Sequence, residues 1–373
     1  MDPRRTAQHI AGRVATLDGD LTVSEVLRAG TAVLGEVIDF DAAAMTAADP
    51  TTLLPTAAAH IVGLPPWSCG PYWDAEYLRP DLMTFAELHR RGEGATTLHR
   101  LTGGRPERSR RHREIYRRLG LDSELRAPLS LGGACYGMLD LARGEGTPDF
   151  SDADLAVIDE AVPALARRIR RAIARPSASD EPLPEGTSVI ILDEVGEILS
   201  MTSDARENLA LLPETLNAGT SSAIFLNAIV HAVWARARFL ASGLEAPPAR
   251  ARIVLRDGRR MTLRGSCTRT ESGGMGHTVL TLEPTRRSQL GPLLLATYEL
   301  TDREEEIVSL LLRGDSAQQI ATRLGISLHT VRTHTKRIHD KTGVSSRAEL
   351  TMLFIDEEFL PNADITTHVA GQP

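Results

Sequence analysis

Residues 327–344 read SLHTVRTHTKRIHDKTGV. The stretch carries Arg332, Lys336, Arg337 and Lys341 against one acid, Asp340, in a chain of 373 residues with a formal net charge of −7. At about 100° per residue, Val331, Thr335 and Ile338 fall on one side of a helix. His329, Thr330, Arg332, Thr333, Lys336 and Arg337 fan over the other. One side therefore faces a core and the other is basic and wet. Ser327 marks the start of the helix and Gly343 its stop.

The same punctuation recurs on either side. Thr301 is followed by Glu304, with a stop at Gly314; Ser316 is followed by Gln319, with a stop at Gly325; Ser346 is followed by Glu349. A Ser or Thr N-cap accepts from orphan amides, and Glu or Gln three residues on reaches back to the cap. Glycine past the end takes the left-handed conformation cheaply. Residues 292–357 are thus predicted to form an all-α domain of four short helices. The link Gly325-Ile326-Ser327 joins helix 317–324 to the basic helix, the layout of a helix-turn-helix. Residues 299–306 (ELTDREEE) hold five acids and one Arg, whereas 323–347 hold six Lys or Arg against Asp340 alone. Such polarity presents one basic face to phosphates and discourages the others.

On Leu300-Thr301, Arg303-Glu304, Gly314, Ile320-Ala321, Leu324-Gly325-Ile326-Ser327, Thr330-Val331, His334, Lys341 and Gly343-Val344, this segment closely resembles the LuxR-type (NarL/FixJ) DNA-binding domain. The resemblance implies that residues 328–342 enter the major groove of double-stranded DNA. It implies Arg332, Thr333 and Lys336 as the base-reading set, with His329 and Arg337 on the same face. Ser327, Thr330 and Lys341 fall at phosphate-contact positions, and Gln318 or Gln319 would touch backbone from the preceding helix. It further implies a homodimer paired through Leu350, Leu353 and Phe354, although the same residues could simply close the bundle core. Thr333 and Thr335 stand where the family commonly has Val. His329, His334 and His339 are five residues apart and point to different faces, so no zinc site is expected.

Residues 175–187 (RPSASDEPLPEGT), rich in Pro, Ser and acids, read as a linker. Residues 284–292 are a weaker break. The expected organisation is a sensor domain over 1–175, a linker at 176–186, a second domain at 187–285, the helical domain at 292–357 and a polar tail at 358–373. The fold class is multidomain α+β: two domains of antiparallel sheet plus helices, then an all-α domain. Residues 124–169 resemble part of a GAF sensor domain, with strands flanking Gly132-Gly133. A helix there carries Leu155, Ile158, Val162, Leu165 and Ile169 at heptad spacing, which either dimerises or packs on the sheet. Pro163 is expected to kink or restart it. Residues 189–201 and the turn Arg256-Asp257-Gly258-Arg259 resemble a PAS domain, with 277–282 as its closing strand. These resemblances imply a sensory or dimerising role and leave the choice between them open.

Trp67, Cys69, Tyr72 and Trp73 cluster in PPWSCGPYWDAEY. They read either as the rim of a small-molecule pocket or as anchors of a Pro-rich loop. Residues 100–118 hold eight arginines and two glutamates. They form a second phosphate patch or a solvated face. The three cysteines lack CxxC spacing and read as reduced, consistent with a cytoplasmic protein. No apolar run reaches the ~20 residues of a membrane span. The sequence holds no P-loop, GxSxG or HExxH. The expectation is a DNA-binding regulator rather than an enzyme, with no cofactor. Contact with RNA polymerase is left open.

Overall fold

Two long strands meeting at Gly132-Gly133 organise the N-terminal part of the chain. Both glycines have positive φ, 59° and 80°, as a two-residue hairpin turn needs. The computed structural model describes residues 3–16, 21–174, 188–212, 223–285, 298 and 300–354. The expected linker at 176–186 and the polar tail at 358–373 lie outside the described residues. The chain divides into two compact units, Met1–Thr285 and Arg286–Pro373.

In the first unit, α1 (Pro3–Ala15) and α2 (Val23–Leu34) precede β1 (Ala42–Ala48) and β2 (Pro55–Val62). Short helices α3 (Cys69–Trp73) and α4 (Phe85–Arg91), strand β3 (Thr96–Thr97) and α5 (Leu98–Thr102) follow, then β4 (Leu121–Leu131), β5 (Ala134–Gly144) and α6 (Asp152–Ala174). These strands form an antiparallel sheet in the order β2-β1-β5-β4-β3. The next elements are β6 (Ser188–Leu192), β7 (Ile198–Met201), α7 (Ser203–Ala210), α8 (Ala223–Ala241), β8 (Arg250–Val254), β9 (Arg260–Arg269) and β10 (Met275–Pro284). Their sheet runs β7-β6-β10-β9-β8, also antiparallel. Both sheets follow the same path: second strand, first, fifth, fourth, third.

The α6 seam is consumed inside the chain. Leu155, Ile158, Leu165 and Ile169 are buried, against α1, α2, β4 and β5. The helix also runs unbroken through Pro163 from Asp152 to Ala174, so the expected restart is absent. Pro163 is exposed, so its ring lies on the wet side of the helix, where water can satisfy the carbonyl that loses its partner. Ser151 caps α6, accepting from the Asp154 amide at 3.2 Å while Asp154 accepts from the Ser151 amide at 2.8 Å.

A shared buried cluster joins the two sheets. Tyr72, Trp73 and Tyr77 pack in a single buried cluster with Val233, Trp234, Ile253 and Leu263. Polar clasps reinforce it. Asp49 accepts from Arg252 Nε and Nη2, each at 2.8 Å, and His231 Nε2 lies 2.8 Å from Asp74 Oδ1.

In the second unit, α9 (Asp302–Leu312), α10 (Ala317–Leu324), α11 (Leu328–Thr342) and α12 (Arg347–Phe354) close on Leu300, Ile307, Val308, Ile320, Val331, Ile338 and Leu350, all buried. Leu350 thus belongs to the bundle core. The side chains of Leu353 and Phe354 lie outside the described residues.

Candidate nucleic-acid interface

Three caps fix the bundle that carries α11. Thr301 with Glu304 and Ser316 with Gln319 form reciprocal capping boxes. Ser327 Oγ accepts from the Thr330 amide at 3.0 Å. The Ser346–Glu349 start differs from expectation. Ser346 Oγ accepts from the Glu349 amide, but the Glu349 carboxylate reaches back to the Ser345 amide at 2.7 Å, one residue early. Gly325 ends α10 at φ 63°, and Ile326 and Ser327 complete the turn into α11.

Val331 and Ile338 are fully buried on α11 and Thr335 is half-buried. His329, Arg332, Thr333, Lys336 and Arg337 are exposed on the opposite stripe. Neighbouring acids sort the six cations of residues 323–347. Arg323 pairs with Asp315 at 2.8 Å, and Lys341 with Glu304 at 2.7 Å. Arg347 donates to the carbonyls of Leu311 and Asp315 at the end of α9. Arg332, Lys336 and Arg337 have no ion-pair partner among the described residues. The exposed face of α11 therefore holds three uncommitted cations along about two turns.

The other expected contacts divide. Gln318 and Gln319 are both exposed; Gln319 Oε1 accepts from the Ser316 amide at 2.8 Å, which leaves its NH2 group to donate. Ser327 and Thr330 hydroxyls lie 2.8 Å apart at the α11 N-terminus, where backbone amides favour anions. Thr333 donates its hydroxyl proton to the His329 carbonyl at 3.0 Å, so a lone pair and a methyl remain outward. Burial pushes the Glu304 carboxyl up, but hydrogen bonds from Lys341 and Thr301 outweigh it and hold the group below the usual range. Lys341 is thereby a partner of the α9 cap, a role invisible in the sequence because 37 residues separate the two.

The aromatic cluster of the first unit is only partly a pocket. Cys69, Tyr72 and Trp73 line a cavity of about 40 Å³ with Thr46, Leu64 and Ile115. That holds a water or two, against several hundred Å³ for a ligand site. Trp67 lies apart, 42% exposed, with the Arg118 guanidinium 4.4 Å from its ring centroid. Burial pushes the Cys69 and Cys135 thiols up to about 11, so both are held protonated. A larger cleft, about 340 Å³, opens between α8 and β9, lined by Ala237, Leu240, Gly265, Cys267 and Arg269 among others.

Sequence reasoning missed a buried ionic network beneath that aromatic cluster. Arg126 donates to Glu76 at 3.0 Å, to Asp140 at 3.1 Å and to Tyr72 Oη at 2.9 Å. Arg111 grips both Glu124 oxygens, at 2.7 and 3.1 Å. Tyr72 and Tyr116 both donate to Asp140, at 3.0 and 2.9 Å. Its members are drawn from residues 72 to 140, so no local motif announces it.

Residues 298–354 match the family described as bacterial regulatory proteins, luxR family. Residues 298–354 thus form a LuxR-family helix-turn-helix domain. A probable transcriptional regulatory protein, SgaR, of Hyphomicrobium methylovorum is 46% identical over 56 residues, 15% of this chain and 26% of SgaR. The monoamine regulon transcriptional regulator of Klebsiella aerogenes is 41% identical over 70 residues, 19% of this chain and 29% of that protein. The matched stretch thus spans about a quarter to a third of these relatives. Among solved structures, a phage VqmA–DPO complex aligns at 22% identity and TM-score 0.27, over 49% of this chain and 87% of VqmA. A Vibrio cholerae VqmA–ligand–DNA complex aligns at 18% identity and TM-score 0.27, over 47% of this chain and 85% of that one.

Proposed function

We propose that the chain is a sequence-specific transcriptional regulator that binds DNA as a homodimer in the cytoplasm, with residues 1–285 as its controlling part. The carrying observation is the basic face of α11: Arg332, Lys336 and Arg337 are exposed and have no ion-pair partner among the described residues, on the second helix of a helix-turn-helix. Arg332, Thr333 and Lys336 read bases. Ser327 and Thr330 hold phosphate at the helix N-terminus, His329 and Arg337 flank the groove, and Gln318 or Gln319 touches backbone from α10. Residues 1–175 act as a GAF-like module and 187–285 as a PAS-like one, joined by 176–186. Leu353 and Phe354 serve the dimer seam.

The test is selection and sequencing of genomic fragments bound by the purified chain at about 150 mM salt, which suppresses phosphate-only binding. An Arg332→Ala/Lys336→Ala variant is run alongside. A two-fold symmetric site should emerge and vanish in the variant. An undiminished site in the variant would move the reading off α11.

Two forms of control are supported by different observations. The α8–β9 cleft has the volume of a small-molecule site. The small size of the Cys69–Tyr72–Trp73 cavity favours a module that acts through protein contacts alone. A ligand at a hundredfold excess over its Kd stabilises by about 2.7 kcal/mol. Melting scans with metabolite extracts therefore separate the two.

A further inference from the structure

Residues 100–118 hold eight arginines, and the fold assigns each a place. Arg100 pairs with Asp152. Arg111 is buried on Glu124. The other six, Arg105, Arg108, Arg110, Arg113, Arg117 and Arg118, have no carboxylate partner among the described residues. Five of the six are exposed and Arg110 is half-buried. Glu107 and Glu114, the acids of the stretch, are exposed and have no ion-pair partner among the described residues.

The fold gathers these arginines on one surface. Arg113 donates to the carbonyls of Glu107 and Arg108, at 2.6 and 3.2 Å, which lays the turn at 106–108 against the turn at 112–116. Arg110 donates to the carbonyl of Arg79 at 2.6 Å, which ties the patch to the end of the 74–78 turn; the Arg79 guanidinium itself is paired with Asp74 at 3.7 Å. Gathering like charges on a folded surface is unfavourable in the free protein and is relieved when a polyanion neutralises them. It is also unexpected in an acidic chain with carboxylates to spare. Guanidinium forks suit phosphate oxygens in pairs.

We infer that the surface around Arg105, Arg108, Arg113 and Arg117 is a second, sequence-independent contact for the phosphate backbone of the DNA duplex that α11 reads. The inference rests on the reading of the chain as a DNA-binding protein. Both surfaces lie on one chain, so engagement of one raises the effective concentration of the other. The patch contributes affinity and salt dependence. Base discrimination stays with α11.

The experiment measures binding of the full chain to long duplexes with and without the selected site, from about 50 to 200 mM salt. Variants are Arg105→Gln/Arg108→Gln/Arg113→Gln/Arg117→Gln, the same four positions changed to Lys, and Arg332→Ala/Lys336→Ala. The Gln variant should flatten the plot of log K against log salt by about 0.9 for each phosphate that the patch no longer neutralises. It should weaken both duplexes by the same factor and leave their ratio unchanged. The Lys variant should restore most of the slope, because it keeps the charge. An unchanged slope in the Gln variant would overturn the inference and point to an acidic protein as the patch's partner. A slope reduced equally in the Gln and Lys variants, or a changed specificity ratio, would also overturn it. Failure of the parent reading looks different: specific binding would then survive Arg332→Ala/Lys336→Ala, or the unmodified chain would bind neither duplex.

Discussion

Arg126 occupies a strand position that alternation alone would assign to water, yet it is fully buried. Glu124 and Arg126 project from the same face of β4, and Arg126 stands opposite Asp140 on β5. Residues 69–78 contribute Tyr72 and Glu76 to this site, and the turn at 111–116 contributes Arg111 and Tyr116. Three carboxylates thus meet two guanidiniums, leaving a formal excess of one negative charge. Burial and the Glu124 charge push the Asp140 carboxyl up to about 7, against the pull of Arg126 and Arg111. A carboxyl raised in the folded state takes up its proton more readily there than in the unfolded chain. The contribution of Asp140 to stability is therefore fully present below the ordinary Asp value of 3.8 and falls as pH rises through about 7. Denaturant midpoints measured across this window should show that fall, and Asp140→Asn should flatten it. Arg126→Met should cost about 3–5 kcal/mol by leaving carboxylates buried without their counter-charge, again read from denaturant midpoints. The network is not legible in the sequence. A charged residue at an alternating position carries no mark of whether its partner lies across the sheet or in solvent.

At the scale of elements the C-terminal bundle was the most legible part, because caps are local chemistry. The predicted spans 317–324 and 328–342 coincide with α10 and α11. Ser316→Ala should lower stability by about 1 kcal/mol through loss of an N-cap, seen as a lower Tm of the bundle. Gly325→Ala forces a side chain into the left-handed region and should cost about 1–2 kcal/mol by the same measurement. Lys341 separates two roles that sequence position cannot. Its pairing with Glu304 means that Lys341→Ala should lower bundle stability by on the order of 1 kcal/mol, whereas Arg332→Ala should leave the melting curve unmoved and weaken DNA binding. The α6 helix was legible as a periodic seam, but not in its use. The heptad spacing serves packing onto the sheet and α1, and a single sequence does not distinguish that from pairing with another chain.

At the scale of the whole molecule, residues 1–174 and 188–285 are joined by a shared buried cluster. Tyr77 lies beneath the Arg236 guanidinium, 4.9 Å from its ring centroid, and Thr52 donates to the Arg250 carbonyl at 2.8 Å. A Pro- and Ser-rich stretch at 175–187 signals a boundary in sequence but says nothing of contacts across it. Calorimetry of the full chain should show one cooperative transition for residues 1–285 and another for the helical bundle. Asp49 belongs to the first. Burial pushes its carboxyl up, but Arg252 and the Thr51 hydrogen bonds outweigh this and hold it at about 2. Its contribution is present above the ordinary Asp value and disappears as pH falls through about 2. Asp49→Asn should lower the first transition and leave the second in place.

The composition of α11 has a practical consequence. Lys336 and Lys341 are the chain's two lysines, and both lie on this helix. Apart from the α-amino group, an amine-reactive dye has nowhere else to attach. Lys336 is exposed and has no ion-pair partner among the described residues, whereas Lys341 is held by Glu304. Labelling should therefore run faster at Lys336. A bound duplex should shield it, so peptide mass mapping of the labelled chain would report occupancy of the DNA-facing surface without any engineered tag.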